Sequence, residues 1–467
     1  MKTVVRRALG VGLMGLLAGS ISPVAAHAEG SGELESAPER NSSVDAEPAP
    51  ATLLLPDAVR LALREGFRSQ IAGLETEQAR EAALETLGAY LPQLQIISQA
   101  GWSNRINEKM VAGDGRVYGL DNLGNDPWID VFVQQALLDL PLWRRIQREK
   151  LGTKLAQIAE WEVRELVAYE VLRLYSNLAR LESLRDTAVD QQQRLESLNE
   201  RATRLLEAGR LVASEREAVD VAREQVALRV ESLELQMATL RDELRVVLGD
   251  AKGAVRTVPE SLPAATPVEF PEGVEVATLR TPAVQILDLR RQIGDASVSE
   301  TEAMRWPTLV LRGGYANYGI KRFDEFQDAG YIFMGMEVPL FDGFQNHHAI
   351  GGAKKATEIA RLRYRSGVAS MRQGLVALNR ELDVLARRAA LAERQAASAA
   401  EQLAVADLNL DAERGSLDQA LLARERRLLR ETEVIELRFA KLEIWARLQR
   451  ELGRLASARG AEATARP

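Results

Sequence analysis

No proline occurs from Leu142 to Val258 or from Leu340 to Arg466 in this chain of 467 residues. Leu, Ala, Glu and Arg dominate those runs, a composition that suits very long helices better than a layered globular core. From Leu142 to Ala208 is 67 residues, about 100 Å if helical at about 1.5 Å per residue. Within it Leu181, Leu184, Ala188, Leu195, Leu198, Ala202 and Leu205 follow steps of three and four, with Gln191 filling one slot. A period near 3.5 lays such residues on one seam that packs against a neighbouring helix. Leu421, Leu428, Ile435 and Leu442 recur every seven residues in the second run. The remaining faces carry Glu and Arg, so each helix buries a stripe and keeps a wet surface.

The chain also repeats itself. "GAYLPQLQIISQAGW" matches "AMRWPTLVLRGGYANY", "QALLDLPLWRRIQ" matches "MGMEVPLFDGFQN", and glycines break helical pattern at Gly209 and Gly415 and end it at Gly249 and Gly453. The paired landmarks lie 215, 198, 206 and 204 residues apart. A tandem duplication of two units, 53–250 and 275–457, follows. Each reads as helix, strand, loop, strand, very long helix, tight turn, long helix. At Gly209 and Gly415 glycine is expected to supply the left-handed residue that caps one helix and turns the chain into an antiparallel hairpin. The segment 251–274, with four prolines, reads as the linker, 29–52 as a disordered acidic leader, and 458–467 as a tail.

Four segments read as strands of about 10 to 13 residues, the length of a tilted strand crossing an outer-membrane-type bilayer. They are "QLQIISQAGW", "WIDVFVQQALLDL", "TLVLRGGYANY" and "GYIFMGMEVPL". Ile129, Val131 and Val133 alternate with Asp130, Phe132 and Gln134, one set for lipid and one for water. Aromatics are 5% of the chain yet gather at these strands. Trp102, Trp128, Trp306, Tyr315 and Tyr331 are the expected membrane-interface residues. The alternative is a small soluble β-domain with an aromatic core. Four strands cannot close a barrel and an open edge is costly in hydrocarbon, so membrane insertion requires more than one chain.

Other classes fall away. A net charge of −7 gives no basic footprint, so no nucleic-acid partner is expected. The chain has no cysteine, which excludes disulfides and thiolate chemistry. Met1 to Ala28 combines a basic start, a short apolar core and Ala26-His27-Ala28, the pattern of a signal peptide, with a cytoplasmic signal-like helix as the alternative. No later stretch is apolar enough for a transmembrane helix. "GDGRVYG" lacks a strand-loop-helix context and reads as a surface loop; His347 and His348 are neighbours and not i, i+4 metal partners. With no catalytic constellation, the chain reads as no enzyme, with no cofactor and no metal.

The duplicated unit, with "LPQL", "PLFDGFQN", "LPDAVRLALREG" and a glycine about 40 residues before the "LG" that ends each last helix, resembles the TolC-type outer membrane efflux proteins. The resemblance covers nearly all of 53–457. It implies a mainly α fold with a membrane β part, in which a homotrimer shares a twelve-stranded barrel in outer membrane lipid and a long periplasmic tunnel. It also implies a periplasmic adaptor protein and an inner-membrane transporter as partners, and a passive exit duct for efflux or type I secretion as the function. Pro141 and Pro339 would mark the membrane surface where strands give way to helices. Asp342 would cap the following helix and Gly343 would relieve crowding where chains converge. "PLWRR", in the first unit, has neither Asp nor Gly after its proline. Ser103 to Pro127 and Gly319 to Asp328 would be extracellular loops. Glu215 and Asp418 are the candidates for an acidic constriction at the tunnel end. The competing reading is an exported periplasmic coiled-coil structural or adaptor protein.

Overall fold

The computed structural model describes residues 51–99, 109–111, 117–119, 128–249, 255–319, 326–412 and 414–456. The expected signal peptide and tail, the leader except for 51–52, and Trp102 lie outside these residues.

In order along the chain the described elements are β1 (Ala51–Thr52), α1 (Leu55–Glu65), α2 (Phe67–Gly88), β2 (Gln93–Gln99), β3 (Lys109–Val111), β4 (Val117–Gly119), β5 (Trp128–Leu138), α3 (Leu140–Glu207) and α4 (Ala213–Val247). They continue as β6 (Val255–Arg256), a 3₁₀ turn (Pro259–Ser261), α5 (Val274–Leu279), α6 (Pro282–Ala303), β7 (Thr308–Gly319), β8 (Phe326–Glu337), α7 (Gln345–Asp411) and α8 (Leu417–Glu451). The order helix, strand, strand, long helix, shorter helix occurs twice, at α2 to α4 and at α6 to α8. Helices α3 and α7 run 68 and 67 residues without a break, about 100 Å each.

The heptad seam is the core of the shaft. Leu181, Leu184, Ala188, Gln191, Leu195, Leu198 and Ala202 of α3 are buried, and the leucines and alanines pack with Val219, Val226, Leu233 and Met237 of α4. Helix α7 carries its own seam, with Leu375, Leu382 and Ala389 buried at intervals of seven. Helix α3 touches α1, α2, α4, α6 and α8, which makes it the axis of the chain.

β2, β5, β7 and β8 form one antiparallel sheet in the order β2-β5-β7-β8. The two hairpins, one from each unit, are therefore not separate: β5 pairs with β7 along most of its length. β8 begins at Phe326, inside the segment expected as a loop, because its ladder with β7 continues to Gly319. Lys109–Val111 and Val117–Gly119 pair as a short ladder within the first expected loop.

The segments expected as leader and linker meet at a side chain. Ala51–Thr52 pairs in parallel with Val255–Arg256. Tyr175 of α3, fully buried, donates its Oη–H to Leu53 O (2.8 Å) and accepts from Val258 N–H (2.7 Å). Asn379 of α7 accepts from Val268 N–H and donates to Val268 O. The linker is thus folded onto the helices at two points.

Candidate functional site

The sheet has two chemically different faces, because side chains alternate along each strand. One face carries Leu94 and Ile96 of β2, Ile129, Val131 and Val133 of β5, Tyr315 of β7, and Ile332, Met334 and Met336 of β8, all exposed. Contiguous apolar exposure of this kind marks a surface built to meet something other than water. The other face carries a buried polar cluster. Asp130, 6% exposed, takes an ion pair from Arg312 Nη2 at 2.7 Å. Tyr331 Oη lies 2.9 and 2.8 Å from Asp130 Oδ1 and Oδ2 and accepts from Arg312 Nε at 3.2 Å. The guanidinium sits 3.4 Å from the centre of the buried Phe132 ring, a cation–π contact. Burying a carboxylate is costly unless it is paired and hydrogen-bonded, and here it is both.

Register explains how β8 reaches β5. Gly314 stands opposite Phe132 on one side and Tyr331 on the other. A Cβ on Gly314 would lie 2.6 Å from Phe132 Cβ and 2.8 Å from Tyr331 Oη. The glycine leaves the gap through which Tyr331 passes over β7.

The interface aromatics divide. Tyr315 points to the apolar face and is half-exposed; Trp306 is exposed in the turn before β7. Tyr331 is on the opposite, polar face, which corrects its expected place at a lipid interface. It is one residue out of phase with Tyr315, whose register partner is Gly330. The backbone of Trp128 opens β5, paired to Gln99 and Tyr318.

The two strand-to-helix junctions differ. After β5 a single residue, Asp139, precedes α3; its Oδ1 accepts from Leu142 N–H at 2.8 Å and Pro141 sits in the first turn. The first unit therefore does have a capping aspartate, placed before its proline. After β8 seven residues, 338–344, separate the strand from α7 at Gln345, with Pro339 near their start and a turn at Gly343 and Phe344 as their end. Asp342 Oδ2 accepts from Asn346 N–H at 2.9 Å. Gly343 has φ +65°, and nothing lies within 4 Å of the position a Cβ would take, so within the chain its role is conformational and not relief of crowding. Below the first junction Arg145 and Arg148 both pair with the buried Glu300 of α6, at 3.0 and 2.9 Å, fixing α3 to α6.

At the far end Gly209 has φ +69°, with Gly209 N–H on Leu206 O and Arg210 N–H on Leu205 O, both 2.9 Å, the two bonds of a Schellman turn. Gly415 does not share this conformation. Its N–H and that of Arg414 both reach Asn409 O, and a Cβ there would lie 3.2 to 3.3 Å from Asn409 and Leu410. Close approach, not a left-handed φ, is why that turn holds glycine. Glu215 accepts from Val212 N–H at 3.3 Å and so caps α4. Asp418 is exposed in the first turn of α8, whose cap is Ser416. Arg201 of α3 bridges the two units, pairing with the Asp411 carboxylate and donating to Leu410 O at 2.8 Å. Arg424, buried, is 2.7 Å from Asp407.

Glu165, 1% exposed in α3, holds the end of the described chain. Its carboxylate accepts from Leu455 N–H (2.7 Å), Ala456 N–H (3.0 Å) and Trp161 Nε1–H (3.2 Å). Burial pushes its pKa up, against the pull of those three donors. Glu162, one turn earlier, is raised by burial and by Glu451, against Arg450 and Arg290. Among the described residues no group of three His, Asp or Glu side chains could hold a metal, and no helix is long and apolar enough to cross a membrane.

A mainly helical chain with a two-faced, open-edged sheet and a helical shaft is also the fold of several solved outer membrane proteins and channels. CusC, solved in the context of transmembrane channel formation, aligns with a TM-score of 0.74 over 86% of this chain and 92% of its own, at 16% identity. VceC, an outer membrane protein of Vibrio cholerae, aligns at 0.70 over 85% and 96%, at 16% identity. The CmeC outer membrane channel of Campylobacter jejuni aligns at 0.71 over 93% and 94%, at 15% identity. No family model matches the sequence, and no curated protein matches it. The fold is the one the TolC-type resemblance implied.

Proposed function

We propose that the chain is one subunit of a homotrimeric outer-membrane exit duct, with its strands in the outer membrane and its helices forming a periplasmic tunnel. The carrying observation is the sheet β2-β5-β7-β8: an exposed apolar face on one side, a buried ion pair on the other, and β2 and β8 each paired on one edge only. An open edge in hydrocarbon leaves backbone groups unsatisfied, each costing several kcal/mol. Closure by further copies removes both edges, and three copies give the twelve strands of the resembling family. The duct is passive and works with a periplasmic adaptor and an inner-membrane transporter in efflux or type I secretion. The units 53–250 and 275–457 are its two repeats. Glu215 and Asp418 are the acids at its tunnel end. Asp418 is the freer of the two for cargo, since the Glu215 carboxylate holds Val212.

The test is extraction from isolated outer membranes in mild detergent, with the protein mass measured by light scattering. A trimer that needs detergent for release supports the duct. A monomer or dimer released without detergent removes the membrane reading and leaves a periplasmic coiled-coil protein.

A further inference from the structure

We propose that the connector 338–344 is the seat by which one copy of this chain grips the next, its Leu340, Phe341 and Phe344 packing on the corner between α2 and β2 of a second copy. The proposal rests on the shared-barrel reading above and adds where the copies hold one another outside the strands.

Three observations carry it. Leu340, Phe341 and Phe344 are 92%, 77% and 63% exposed, in a segment whose residues 338–344 are all exposed. Clustered large apolar side chains in water mark an interaction surface. Phe344 is the one non-glycine among the described residues with a positive φ, at 65°, and its ring meets Phe341 edge-on at 5.6 Å. A left-handed phenylalanine persists only where surrounding structure fixes it, and this chain alone offers it little.

Position then names the occupant. Every neighbouring pair in the sheet is antiparallel, and β2 and β8 are its two edges. Closing the sheet with a second copy in the same alternation places the end of β8, Glu337, beside the start of the next β2, Gln93. The residues just past Glu337 then face the residues just before Gln93. Those include Leu91, 54% exposed, and Leu87 on the last turn of α2, also exposed. The corner is rigid: Tyr90 and Leu91 donate N–H bonds to Leu87 O and Gly88 O, both at 3.0 Å. An apolar connector meets an apolar corner, and Leu340, Phe341, Phe344 and Leu91 are all more than half exposed among the described residues.

Because the chain has no cysteine, crosslinking can test this in the full-length protein in its own membrane. One variant carries Leu340→Cys with Leu91→Cys, and a control carries Glu337→Cys with Gln93→Cys across the expected strand seam. Both are treated with a short bis-maleimide and run on denaturing gels. The expected result is a covalent trimer from each double variant and a monomer from every single variant. Should Leu340→Cys impair assembly, Phe341→Cys with Leu91→Cys takes its place. A control that links while both connector pairs stay monomeric overturns the proposal and leaves the shared barrel standing. A control that also fails overturns both. Linking by Leu340→Cys alone overturns it as well, since it shows connector meeting connector.

Discussion

Tyr331 Oη stands 2.8 and 2.9 Å from the two carboxylate oxygens of Asp130, although a whole strand, β7, runs between their own strands. The bond exists because Gly314 fills the intervening position. Gly314→Ala is therefore expected to destabilise the protein by about 1–3 kcal/mol through overpacking against Phe132 and Tyr331. Tyr331→Phe should cost less, since Arg312 still pairs with Asp130. The two changes share one contact, so the double variant should lose less than their sum. Urea midpoints in detergent measure all three, and strict additivity would remove the link.

How much of this was legible beforehand depends on the range of the contact. The seam of α3 and the two faces of β5 are local periodicities, and both could be read from spacing alone. Tyr331 was misplaced because an aromatic in a strand looks the same on either face until the register with β7 is known. The buried role of Glu165 is out of reach of the sequence, since its two backbone donors lie 290 and 291 residues away. Asp139 is within reach of the sequence, because an aspartate three residues before a helical N–H is a cap signal, although it stands before its proline where Asp342 stands after.

Asp139→Ala is expected to cost about 1 kcal/mol, the usual value for a lost N-cap. Asp342→Ala should cost less, because its bond to Asn346 is exposed. Thermal midpoints of the two variants should fall in that order.

Gly209 and Gly415 share a landmark but not a reason. Gly209→Ala should cost about 1–2 kcal/mol for a left-handed residue, and Gly209→Asn should recover part of it, because Asn tolerates that conformation. At Gly415 the obstacle is the space beside Asn409 and Leu410, so Asn should fare no better than Ala. Equal rescue by Asn at both sites would remove the distinction.

Glu165 sets a pH dependence with a definite sign. Burial raises its folded pKa above the unfolded value, so the folded protein binds this proton more readily. Its contribution to stability is then greatest at low pH and falls as pH rises from the ordinary carboxylate range through the raised folded value. Glu162 adds in the same direction. Glu165→Gln should flatten the urea midpoint against pH from the ordinary carboxylate range upward. An unaltered profile in Glu165→Gln would show that the carboxylate stays ionised throughout.

The apolar face makes the membrane reading answerable by one residue. Val131 lies on that face, between the exposed Ile129 and Val133, and Gln95 lies on the other, opposite Phe132. An arginine facing lipid near the bilayer midplane costs about 2–4 kcal/mol, whereas one facing a wet interior costs little. Val131→Arg should therefore deplete the assembled protein in outer membranes, and Gln95→Arg should not. The same arginine at Glu231, exposed on α4, serves as the control for charge alone. If all three variants assemble equally, the apolar face does not meet lipid, because a face in water would accept arginine without penalty.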